Sequence, residues 1–100
     1  MTFYTIHPRE MRAILYQKHA IVVDIRDREA YKKFHFKNAV NLPYEEDECW
    51  LKNFSGRRTW ILYCEHGSTS LLAAKRLGKL GYEVYTVIGG ARAIEEYFYN

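Results

Sequence analysis

Residues 60–77 read WILYCEHGSTSLLAAKRL, an apolar run, one cysteine, four small residues and a helical pattern in succession. Thr59 to Tyr63 is a short apolar run rich in β-branched and aromatic residues, which predicts a central strand. Cys64 stands at its end. Gly67, Ser68, Thr69 and Ser70 follow as small residues without bulk, and a helix is expected from about Thr69. Leu71, Ala74, Leu77 and Leu80 then recur on one predicted face. Gly81 sits where a left-handed helix terminus belongs, with Lys75, Arg76 and Lys79 favourable near that end of the dipole. A strand that passes through a short loop into a helix is half of a βαβ unit.

The flanking sequence supplies the other halves. Thr2 to Ile6 predicts a first strand, and Pro8 suits the first turn of a helix carrying Met11, Ile14 and Leu15. Ala20 to Ile25 is an apolar run with the character of a strand buried on both faces. Asp27 can cap a helix that turns Ala30, Tyr31 and Phe34 inward. Ala39 to Leu42 is a further short strand closed by Pro43, and Cys49 to Phe54 a short helix ending near Gly56. Tyr82 to Val87 is the last strand, Gly89-Gly90 a turn, and Ala91 to Tyr97 the final helix. The expected fold is α/β, with about five mainly parallel strands and helices on both faces. Ligands in such sheets sit at the carboxyl ends of the strands, and Cys64 lies at that end of the central one.

Length and composition narrow the classes. The 100 residues, 48% hydrophobic and 27% charged, predict one domain over residues 1–100 rather than a disordered chain. No run approaches the roughly 20 apolar residues of a membrane span, and the start from Met1 to Pro8 lacks the pattern of a secretory signal. Two cysteines, Cys49 and Cys64, are too few for a disulfide scaffold, which points to a reducing, cytoplasmic setting. The net charge of +3 is mild. Lys32, Lys33 and Lys37 cluster, as do Arg57 and Arg58, but these read as solvated faces and not as a nucleic-acid surface.

If the segment after Cys64 curls back, its peptide N–H groups and the start of the next helix form an anion site centred on the sulfur. Gly67 permits backbone angles closed to other residues. A helix N-terminus also favours the thiolate, the nucleophilic form. These features suit a cysteine that carries an anionic adduct. Taken alone they leave a sulfur carrier, a phosphatase-like enzyme and a binding pocket open.

The segments DIRDREAYKKFHFKNAVNLP and YCEHGSTSLLAAKRLGKLGYEVYTVIGG, in that order, resemble a single-domain rhodanese, and the likeness runs from Ile6 to about Tyr97. Asp24-Ile25-Arg26 matches the family's Asp-x-Arg; His35, Ala39, Asn41 and Pro43 fit its next segment; Gly89-Gly90 fits its late double glycine. Residues 64–69 fit its six-residue active loop, with Ser70 following. The resemblance implies a sulfurtransferase in which Cys64 takes sulfane sulfur from a small donor such as thiosulfate, a cysteine-desulfurase persulfide or a polysulfide. The persulfide is then discharged to a thiol or other thiophilic acceptor, small or protein-borne, without a cofactor. The amides of Glu65, His66, Gly67, Ser68, Thr69 and Ser70 would cradle the terminal sulfur, and Thr69 holds the place that helps choose substrates.

The sequence departs from that pattern in places. Phe34-His35 replaces Gly-His, Lys37 and Asn38 stand for proline and glycine, and Ile94 takes a frequent tryptophan position. Glu65 sets a carboxylate beside the thiol, which would oppose anions unless it turns to solvent, as expected here. A related phosphatase needs arginine at position 70, which is serine. A rhodanese-like binding or regulatory module is the alternative, but such modules usually lack the loop cysteine. His66 is expected to line the pocket or face solvent. Cys49 is expected to pack beside Trp50, and Asp24 and Arg26 to form a structural ion pair. Cys49, Cys64, His35 and His66 lack the spacing of a zinc site.

Overall fold

The computed structural model describes residues 3–56 and 58–99. Thr2, the expected start of the first strand, and Arg57, of the basic pair, lie outside the described residues. Five strands, β1 (Phe3–Ile6), β2 (Ile21–Asp24), β3 (Val40–Asn41), β4 (Thr59–Tyr63) and β5 (Glu83–Val87), form one sheet in the order β1-β5-β4-β2-β3. Every pairing is parallel. The helices are α1 (Met11–Lys18), α2 (Arg28–Lys33), α3 (Glu48–Leu51), α4 (Ser68–Lys79) and α5 (Gly90–Tyr99). No described helix is long and apolar enough to cross a membrane.

Alternation along the central strand divides the core. Trp60, Leu62 and Cys64 enter one apolar cluster with Ala73, Ala74 and Leu77 of α4 and with Trp50 and Phe54. Ile61 and Tyr63 enter the other, with Met11 of α1, Phe36, and Ala91 and Ile94 of α5. Ile94, at the position where the resemblance has a frequent tryptophan, is fully buried, so a smaller side chain fills the core there. The parity of β4 therefore aims Cys64 at α4. In β5, Val84 shares the Cys64 cluster, and Thr86, two residues on, lies on the same face beside Leu62.

Several expectations are corrected. The buried face of α4 is Ser70, Ala73, Ala74, Leu77 and Gly78, while Leu71 is 40% and Leu80 58% exposed. Small residues let the helix lie close on the sheet, and this sets its rotation more than the leucine spacing does. Its end is as expected: Gly81 N–H donates to Gly78 O and Tyr82 N–H to Leu77 O, a Schellman closure. Tyr31 and Phe34 turn inward as expected, partly buried against the second cluster, and Phe36 in the following loop adds a fully packed ring there, its N–H donating to Tyr63 Oη at 2.9 Å. Pro8 opens a 3-10 turn ahead of α1. Cys49 is exposed, because Trp50 takes the buried side of the one-turn helix and anchors Nε1 on Leu42 O at 3.1 Å.

Candidate active site

Cys64 follows β4 directly and is 6% exposed. Its Sγ receives the N–H of Gly67 at 3.1 Å and the N–H of Ser70 at 3.2 Å. Gly67 makes the first contact feasible: its φ of +111° turns the chain back over the sulfur, and a Cβ there would stand 3.3 Å from Gly89 N. Of the six cradling amides the resemblance implies, Gly67 and Ser70 reach the sulfur. Ser68 and Thr69 are exposed on the first turn of α4, and His66 is exposed on the loop. His66 lines an apolar hollow of about 260 Å³ with Thr5, Leu71 and Ile88.

The other loop amides are oriented by α5. Cys64 O accepts from Ala91 N at 2.7 Å, and Glu65 O from Arg92 N at 3.4 Å. In a trans peptide the N–H points opposite to the carbonyl, so the amides of Glu65 and His66 are turned away from α5. Gly90 permits this approach. A Cβ at position 90 would lie 2.5 Å from Cys64 O and 2.6 Å from Glu65 O.

Glu65 is exposed, as expected, but it is not free. Its side chain is 52% exposed and its Oε1 accepts from Arg26 Nη1 at 3.1 Å. Arg26 also grips the fully buried Asp24, with Nη2 to Oδ2 at 2.7 Å and Nε to Oδ1 at 3.0 Å. It donates to the Phe34 carbonyl as well. Burial opposes the charge on Arg26, yet hydrogen bonding and attraction to Asp24, with help from Glu65, raise its pKa above the ordinary value. The expected Asp24–Arg26 pair thus extends into the loop and offsets the Glu65 carboxylate. Arg26 lies over the ring of Tyr63, 5.6 Å from its centroid, and burial raises the Tyr63 phenol pKa.

Other candidates lie apart from the sulfur. His35 stacks on Tyr31 at 3.8 Å between ring centroids, and Lys32, Lys33 and Lys37 are exposed. Sequence reasoning missed Thr86, whose hydroxyl reaches Ser70 Oγ at 2.8 Å. Its only trace in the sequence is a threonine between Tyr85 and Val87 on the last strand.

A family model described as a Rhodanese-like domain matches residues 7–97. The thiosulfate sulfurtransferase GlpE of Vibrio cholerae serotype O1 is 34% identical over 92 residues, 91% of this chain and 87% of that protein. The tRNA sulfurtransferase of Pyrobaculum aerophilum is 35% identical over 68 residues, 68% of this chain but 14% of that protein. The crystal structure of a rhodanese-related protein from Thermoplasma volcanium matches with a TM-score of 0.85 at 24% identity, covering 97% of this chain and 95% of that one. At that identity the shared property is the fold.

Proposed function

The chain belongs to the rhodanese-like domain family, and on that premise we propose that it is a sulfurtransferase carrying sulfane sulfur as a persulfide on Cys64. The observation that carries the reading is the pair of N–H groups, from Gly67 and Ser70, converging on Sγ. Two donors on one sulfur stabilise negative charge there, the condition for a nucleophilic thiolate and for a leaving thiolate.

The chemistry is two displacements at sulfur. The Cys64 thiolate attacks the outer sulfur of the donor; the new S–S bond forms as the donor's own sulfur bond breaks, and its electron pair leaves with the remainder, as sulfite if the donor is thiosulfate. The product is a Cys64 persulfide anion. An acceptor thiolate then attacks the terminal sulfur, and Cys64 leaves as thiolate, ready for another cycle. The loop from Glu65 to Ser70 supplies amides for the terminal sulfur.

The charges around the loop favour a weakly charged donor. Arg26 is engaged by Asp24 and Glu65, so it offers little to a dianion such as thiosulfate. A persulfide donor, with one negative charge, meets less opposition from Glu65. The free thiols of Cys49 and Cys64 suit a reducing compartment such as the cytoplasm.

The test is intact mass spectrometry after single-turnover exposure to thiosulfate, cysteine persulfide or polysulfide. Wild type gains one sulfur atom and releases it to a thiol, while Cys64→Ser gains none. An unchanged wild-type mass with all three donors overturns the reading.

A further inference from the structure

Beside its amide contacts, the sulfur touches a chain of buried hydroxyls that spans two elements. The Cys64 thiol donates to Ser70 Oγ at 3.5 Å, and Thr86 Oγ1 donates to the same oxygen at 2.8 Å. Ser70 Oγ in turn donates to Gly67 O at 3.3 Å. Ser70 is 0% exposed, Thr86 3% and Cys64 6%, so solvent competes little.

A serine hydroxyl has one proton and two acceptor lone pairs. Here the thiol and Thr86 occupy the lone pairs, and the proton goes to Gly67 O. Ionisation of Cys64 removes the thiol proton and makes the sulfur the strongest acceptor within reach. Gly67 O does not depend on Ser70, because it also accepts from Leu71 N at 3.1 Å. The serine proton is therefore free to turn to the sulfur, provided Oγ stays in place. Thr86, held on β5 opposite Leu62, is the group that holds it.

We propose that Ser70 is a two-position proton donor that turns to Sγ whenever Cys64 is anionic, and that Thr86 is the positioning residue that sets it. The role in sulfur discharge, where Cys64 leaves as thiolate, rests on the sulfur-carrier reading. Thr86 does not touch the sulfur and acts through Ser70. The charged and titratable groups around the loop are Glu65 with Arg26, Asp24 behind them on β2, His66, and Arg92 on α5. None of them changes in the variants below.

The experiment is the pH profile of Cys64 alkylation by iodoacetamide in a Cys49→Ser background, which leaves one thiol. S70A moves the midpoint up by about one unit, a roughly tenfold loss of thiolate at neutral pH. T86V and T86A move it by about half as much on the logarithmic scale, and T86S, which keeps the hydroxyl, restores the parent profile. T86V combined with S70A behaves as S70A alone, because Thr86 has nothing left to position. Thermal melts identify the folded variants. An unmoved profile in either folded hydroxyl-free variant, or shifts of T86V and S70A that simply add, overturns the proposal. An unmoved profile in S70A overturns it without reference to Thr86. Alkylation needs no sulfur donor, so a protein that shows this coupling but never loads sulfur removes the carrier reading alone. A protein that loads sulfur with unmoved profiles removes the proton switch alone.

Discussion

Cys64 is buried at the end of β4 with two backbone N–H groups on its sulfur, whereas Cys49 is exposed on the one-turn helix α3. The contrast separates access from activation. A buried thiol ordinarily behaves as a small apolar side chain, but the burial of Cys64 brings donors with it. Those donors face the sulfur because Gly67, at a φ of +111°, turns the chain back over it and Ser70 follows on the first turn of α4. Around Cys49 the polar groups serve the helix: Asp47 Oδ1 caps Trp50 N at 3.1 Å, and Cys49 O accepts from Lys52 N.

The largest effect that separates the two thiols is sulfur uptake. Cys64→Ser abolishes it and Cys49→Ser leaves it intact, as read by intact mass; loss in both would erase the contrast. Next comes Arg26→Met, which leaves the Asp24 carboxylate buried without its cation. It destabilises the fold by about 3–5 kcal/mol in urea unfolding, and it frees Glu65 beside Cys64. A cost near that of an exposed pair would show that the Asp24–Arg26 anchor matters little.

Gly90→Ala follows. The new Cβ meets two loop carbonyls, and position 90 has a φ of +63°; we expect a loss of about 2–3 kcal/mol from strain and overpacking. Cys64 alkylation changes while Cys49 alkylation does not, and equal changes at both sites would show a global rather than a local effect. The smallest effect lies at the opposite end of the sheet, where Lys18 Nζ meets Glu83 Oε2 at 2.8 Å. Lys18 Nζ, with Thr59 Oγ1 and Tyr85 Oη, hydrogen-bonds the Glu83 carboxylate and holds its pKa below the ordinary value against partial burial. A lowered folded pKa contributes stability above the ordinary carboxylate range, which is lost as pH falls through the folded value. Lys18→Met therefore lowers the melting temperature slightly at neutral pH, and the difference vanishes in acid. At each pH both cysteines react as they do in the parent protein.

Much of this was legible in the residues. The alternation of strands and helices, the exit of β4 into a Gly/Ser/Thr loop, and Cys64 at the carboxyl edge all rest on local pattern. The rotation of α4 was not legible: four apolar residues suggested one face, but the close fit of Ala73, Ala74 and Gly78 against the sheet turned Leu71 and Leu80 to solvent. Cys49 was misplaced for a similar reason, since a single helical turn has room for one buried anchor and Trp50 is the larger.

Which thiol stands at a strand end, and which small residues surround it, follow from local pattern alone, because strand, loop and helix signals act over a few neighbouring residues. Which groups reach that thiol depends on the folded arrangement of distant segments. Arg26 meets Glu65 from 39 positions away and Thr86 meets Ser70 from 16. Contacts of that range depend on strand order and on which face of the sheet each side chain takes, and neither is written in any one segment.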